Sequence, residues 1–117
     1  MSIAFLLRAK EGKRMKILCI GAHQDDNEFR VGGMTRKWVK AGHEVRFLSM
    51  CNGCGGHPFM TAEETSARRA KESAAVAEFA GIKYDIWSDI DDCTLMATYE
   101  LRERTIRYIR EFAPDLL

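Results

Sequence analysis

A histidine and three carboxylates fall within six residues, His23-Gln24-Asp25-Asp26-Asn27-Glu28. A neutral imidazole and an adjacent carboxylate are donors of the kind that hold Zn²⁺. A second carboxylate beside them can serve as general base toward a water that the metal activates. The plainer reading is a helix N-terminus, where acidic residues cap free N–H groups and suit the helix dipole. The position argues for chemistry, because the cluster directly follows the apolar run Ile17-Leu18-Cys19-Ile20, and few structural roles put that much charge at the end of a buried strand.

A second group is Cys51-Asn52-Gly53-Cys54-Gly55-Gly56-His57. Two cysteines at this spacing can bind metal or form a redox disulfide. A closed zinc site needs a fourth ligand, and no second pair follows. The redox motif usually starts a helix, whereas this one lies in a glycine-rich loop. The segment therefore reads as a flexible rim loop, with Cys54 or His57 available as a substitute ligand to a metal at His23.

Strands and helices must position these groups. Lys16 to Gly21 is nearly continuous in apolar residues, as in a parallel strand buried on both faces. Phe29 to Ala41 predicts a helix closed by Gly42, and Glu44 to Met50 a second strand. Cys51 to Met60 is loop. Thr61-Ala62-Glu63-Glu64 has the capping-box pattern and opens a helix to Ala80, which Gly81 stops. In that helix Ala70, Ser73, Ala74, Ala77 and Ala80 form a small-residue stripe suited to packing on a sheet. Lys83 to Trp87 is a third strand and Ser88 to Ala97 an acidic loop. Thr98 to Phe112 is a last helix, with Leu101, Thr105, Tyr108 and Phe112 on one face and i,i+4 pairs Glu100–Arg104 and Glu103–Arg107. Trp38 and Trp87 read as core and His43 as a structural turn residue.

Strands alternating with helices predict a Rossmann-like three-layer α/β/α fold with a mainly parallel sheet and right-handed crossovers. Ligands in such folds bind beyond the carboxyl ends of the strands, so the His23 cluster, the Cys51 loop and the acidic loop should share one rim. Asp115-Leu116-Leu117 reads as the beginning of a fourth strand, which makes the fold look truncated after its third helix. Residues 1–14 read as an N-terminal extension, and 15–117 as the N-terminal part of the α/β domain.

The chain has 117 residues, enough for one domain with a real core. A formal net charge of +1 gives no bulk attraction to nucleic acid or anionic membranes. No apolar stretch is long enough to span a bilayer, and Ile3 to Leu7 is too short for a signal-peptide core. These features point to a cytoplasmic protein whose four cysteines are reduced thiols.

The stretch Gly21-Ala22-His23-Gln24-Asp25-Asp26-Asn27-Glu28 resembles the HPDDxE signature of the PIG-L/LmbE-like superfamily of zinc-dependent N-deacetylases. Gly32-Gly33, Ala41-Gly42-His43-Glu44-Val45, Arg69-Ala70-Lys71-Glu72, Asp92-Cys93-Thr94-Leu95 and Pro114-Asp115-Leu116-Leu117 resemble later elements of the same family. The likeness runs from about Met15 to Leu117 and corresponds to roughly the first half of a full-length member.

The resemblance implies that His23 and Asp26 ligate Zn²⁺ and that Asp25 is the general base. It makes Glu28 a support behind the ligands, and Arg69 and Asp92 substrate-binding groups. The implied reaction is hydrolysis of an N-acetylglucosamine-type conjugate to acetate and a free amine, with a small amino-sugar conjugate as partner. The family's third zinc ligand is a histidine beyond Leu117. The alternative is accordingly a catalytically incomplete fragment with a structural or self-associating role, its open sheet edge favouring homo-oligomers. A nucleotide-binding module is the weakest reading, since no Gly-x-Gly-x-x-Gly follows the first strand. Gln24 stands where the family has proline, which predicts a looser turn.

Overall fold

The computed structural model describes residues 12–117. Most of the expected N-terminal extension, residues 1–11, lies outside the described residues. The elements run β1 (Lys16–Gly21), α1 (Asp26–Lys40), β2 (Glu44–Ser49), α2 (Ala62–Ala80), β3 (Lys83–Ile86) and α3 (Tyr99–Phe112). All three strands are parallel in the order β1-β2-β3, with Ile17 opposite Val45 and Phe47 opposite Tyr84. Leu116 adds a parallel bridge to Ile17 on the free side of β1. The start of a fourth strand expected at Asp115–Leu117 is therefore present.

The strands bury both faces, as their unbroken apolar runs require. Ile17, Val45 and Phe47 pack with Trp38 of α1 on one face. Leu18 and Leu48 pack with Trp87 and with Phe112 of α3 on the other. Neighbouring residues such as Ile17 and Leu18 thus feed opposite cores, and the three-layer arrangement follows. The change of face between α2 and α3 sends the chain back to β1, which makes the carboxyl end of β1 the switch point of the sheet. Trp38 and Trp87 are core, and His43 is structural, its Nδ1 accepting the Met15 N–H at 3.2 Å.

Helix α2 begins as its sequence directs, with Thr61 and Glu64 forming a reciprocal capping box, and ends at Gly81 with φ 72°. Three details differ from the sequence reading. Helix α1 starts at Asp26, three residues before Phe29, because acidic residues are well placed in a first turn. On α2 the buried line is Thr65, Ser73 and Ala80, while Ala70 and Ala74 are exposed. Arg104 pairs with Asp89 at 2.7 Å instead of Glu100, as the longer-range carboxylate offers a two-pronged contact. Among the described residues no helix is long and apolar enough to cross a membrane.

Candidate metal centre and active-site rim

The turn after β1 starts from a close approach. A Cβ on Gly21 would lie 2.8 Å from Asp26 Cβ, so glycine lets α1 begin against the strand. The His23 N–H donates to Asp26 Oδ2 at 3.0 Å, which folds the carboxylate back over the turn. Asn27 is buried and donates to the carbonyls of Cys19 and Leu48, tying the helix start to two strands.

Asp25 occupies the N-cap position with φ 103° but its side chain caps nothing. A non-glycine residue held there costs on the order of 1–3 kcal/mol. Its Oδ2 instead accepts from Arg69 Nη2 at 2.9 Å. That contact separates Asp25 from an ordinary helix cap. Arg69 also donates to the Gln24 carbonyl and, through Nη1, to Glu72 at 2.8 Å. Burial opposes the Arg69 charge, but its bonds and charge contacts with Asp25 and Glu72 outweigh it and raise its pKa. The Arg69–Glu72 pair therefore reaches across to hold the His23 turn.

The loop after β2 is pinned at every residue from Cys51 to Gly55, contrary to the flexible loop expected. The N–H groups of Cys51 and Asn52 donate to Ala22 and Ile90 carbonyls, each at 2.9 Å. The Asn52 side chain donates to Asp91 at 2.6 Å and accepts from the Cys54 N–H. Gly53 and Gly55 donate to the two oxygens of Asp92, at 2.9 and 2.8 Å. Gly53 has φ 74°, and a Cβ there would fall 2.3 Å from Gln24 Oε1.

Gln24 links the two turns. It is 2% exposed and donates from Nε2 to the Asn52 carbonyl at 2.9 Å. The looser turn expected from the missing proline is thus not found, because side-chain and Arg69 hydrogen bonds replace the ring's restraint.

The sequence candidates separate into three groups. His23, Asp25, Arg69 and Asp92 line one open cleft of about 530 Å³, together with Gly53, Gly55 and His57. Asp26 lies beside His23, with Oδ2 3.9 Å from Nδ1. Glu28 is not among the cleft residues and accepts from the Tyr84 hydroxyl at 3.1 Å. Burial first, then the Glu28 charge, pushes the Tyr84 phenol well above its ordinary range, so this hydroxyl remains a donor that braces α1 on β3.

Cys54 and His57 do not join His23 as substitute ligands: neither is in the group of side chains whose ligand atoms meet at His23, and His57 Nδ1 instead accepts the N–H groups of Phe59 and Met60. The thiol that does come close is Cys51. His23, Cys51 and Asp92 offer ligand atoms all within 4.8 Å of one another. Sequence reasoning named Cys51 only within the Cys-x-x-Cys pair and missed it as the partner of His23; the one signal for that is its place directly after the β2 apolar run, opposite the end of β1. Its thiol is pushed up by burial, then by the charges of Asp92, Cys54 and Cys93.

A divalent ion fits this setting. Asp92 Oδ1 stands 3.7 Å from His23 Nε2 and Asp26 Oδ2 stands 3.9 Å from Nδ1. Both separations exceed a hydrogen bond and are near the roughly 3.4 Å that separates ligands around a tetrahedral zinc. Imidazole, carboxylate and thiol are also the donor types zinc takes.

Relatives share this arrangement of elements. The chain is 31% identical over 104 residues to a diacetylchitobiose deacetylase of Thermococcus kodakarensis, covering 87% of this chain and 39% of that protein. It superposes on the structure of an N,N'-diacetylchitobiose deacetylase from Pyrococcus horikoshii with TM-score 0.81 at 29% identity, covering 87% of this chain and 39% of the other. A 4-carboxy-2-hydroxymuconate hydratase from Pseudomonas putida has the same fold, with TM-score 0.76 at 22% identity over 86% of this chain and 44% of the hydratase. The chain thus spans about two-fifths of the length of the deacetylases it matches. The family model for GlcNAc-PI de-N-acetylase matches residues 18–117, and the chain belongs to this PIG-L family.

Proposed function

We propose that this chain carries the metal- and base-bearing part of an N-deacetylase that releases acetate from an N-acetylglucosamine-type conjugate. The observation that carries the reading is the His23–Asp25–Asp26 turn at the switch point of the sheet, opening on a cleft that also presents Arg69 and Asp92. Deacetylases named for diacetylchitobiose are among its relatives, which favours an N-acetylated amino sugar as substrate. The hydratase with the same fold makes the fold alone uninformative about the reaction; the residues on the rim choose it.

His23 and Asp26 are the residues that would hold zinc. When bound, the ion supplies Lewis acidity toward the amide and makes water a better nucleophile near neutral pH. Asp25 is the general base. Arg69 fixes one of its oxygens, while its side chain stays 69% exposed and open to a water in the cleft. Asp92, anchored by the Gly53 and Gly55 N–H groups, and Arg69 orient the polar groups of the sugar. Glu28 acts at one remove, setting the angle of α1 through Tyr84.

Metal analysis and an acetate-release assay on diacetylchitobiose test the reading. The unmodified chain should hold about one zinc, lose it in His23→Ala and liberate acetate only when loaded. Equal zinc in both proteins would defeat it; a folded, zinc-loaded chain that frees no acetate from N-acetylglucosamine conjugates would put the catalytically incomplete fragment in its place.

A further inference from the structure

We propose that Cys51 is a metal donor, and that Cys51, His23 and Asp92 form a second cation position on the Nε2 side of the His23 ring. The pair His23–Asp26 lies on the other side. Nδ1 faces Asp26 at 3.9 Å, and Nε2 faces Asp92 at 3.7 Å. Ligand atoms of His23, Cys51 and Asp92 lie within 4.8 Å of one another, so one ion can touch all three with small rotations of the side chains.

Asp92 is already placed for this role. Both oxygens accept one backbone N–H, from Gly53 and Gly55. A carboxylate has about four lone-pair positions, so each oxygen keeps one for a cation. Its side chain is 11% exposed, and no Arg or Lys is paired with it among the described residues. Cys51 is 1% exposed and does not itself line the cleft, but lies next to His23 and Asp92, which do, so water competes poorly for a metal at its thiol. The ion reaches it past His23 and Asp92, which line the opening.

One nitrogen, one sulfur and one oxygen donor suit a thiophilic divalent cation, Zn²⁺, Co²⁺ or Cd²⁺, with a fourth position left for water. Binding forms a sulfur–metal bond, and the thiol proton leaves to solvent. One neutral imidazole has a single free nitrogen lone pair. The two positions therefore compete for His23, and an ion held by Cys51 displaces one held with Asp26. Excess thiophilic metal should act as an inhibitor of whatever reaction the other position supports.

Cobalt(II) titration followed by near-ultraviolet absorbance reads thiolate coordination directly. A sulfur-to-cobalt charge-transfer band should grow in the unmodified chain, in Cys54→Ser and Cys93→Ser, and in Asp26→Asn. It should vanish in Cys51→Ser, with cobalt bound about tenfold or more weakly. Cadmium NMR of the unmodified chain reads the same sulfur bond without any substitution, should Cys51→Ser fail to fold. The proposal falls if the unmodified chain gives no sulfur band and no sulfur-shifted cadmium signal. It also falls if the band survives Cys51→Ser or disappears in Asp26→Asn. Cobalt that binds without sulfur and is lost in His23→Ala overturns the Cys51 position and leaves the deacetylase reading standing.

Discussion

The turn after β1 and the loop after β2 meet at one rim but are built oppositely. The first concentrates charge in its side chains. His23, Asp25 and Asp26 are partly open to solvent, and the backbone beneath them is strained at Asp25. The second is nearly uncharged, and its working groups are backbone N–H donors at Gly53 and Gly55, aimed at an aspartate nearly forty residues away. One turn presents an imidazole and two carboxylates, and the other holds Asp92 in place beside them. Gln24 joins the two turns, and Arg69 holds the first turn to α2, so a defect in either turn should be felt in the other.

The largest expected effects come from closing the glycine gaps. Gly53→Ala places a methyl 2.3 Å from Gln24 Oε1 at a positive φ. It should cost about 2–4 kcal/mol in urea unfolding and loosen the grip on Asp92. Gly21→Ala drives a methyl against Asp26 Cβ; a cost of about 1–3 kcal/mol should accompany loss of zinc. If Gly53→Ala proved neutral, the second loop would be less rigid than its hydrogen bonds require.

Arg69→Ala probes the joint. It removes donors to Gln24, Asp25 and Glu72 and should lower stability by about 1–2 kcal/mol. Acetate release should fall far more than zinc content, since Arg69 touches the base and neither proposed ligand. Equal loss of both would make Arg69 a structural tie alone.

Acid should produce the smallest effect, acting on α2 and so only indirectly on the two turns. Glu72 is lowered below its ordinary 4.5 by the Arg68 hydrogen bond and by Arg69, and Glu64 by the backbone and side chain of Thr61. Folded values below unfolded ones mean that this stability is present above about pH 4.5 and lost as pH falls through the folded values. Glu72 is half open to solvent, so screening keeps the loss small. Chemical denaturation of Glu72→Gln between pH 6 and pH 3 should therefore show a shallower decline than the unmodified chain.

Much of this was legible without coordinates. Continuous apolar runs gave the parallel strands, Thr61 and Glu64 the start of α2, and Gly81 its end. The HxDD spacing placed three functional groups on one turn, because a contiguous motif carries its own geometry. The Arg69 element was visible only as a resemblance, and its reach to Asp25 depends on how α2 packs against α1.

By itself the sequence determined the order of elements, the two-sided burial of the strands and the charge of the first turn. These depend on local propensity and on the period of the apolar residues, which neighbours along the chain encode. Only the tertiary structure decided that the Cys51 loop is rigid, that Gln24 replaces a proline with a buried hydrogen bond, and that Cys51 instead of Cys54 or His57 faces His23. Those outcomes depend on contacts between segments 28 to 69 residues apart, whose distances are set by the parallel pairing of β1 and β2 and by the return of the acidic loop across them.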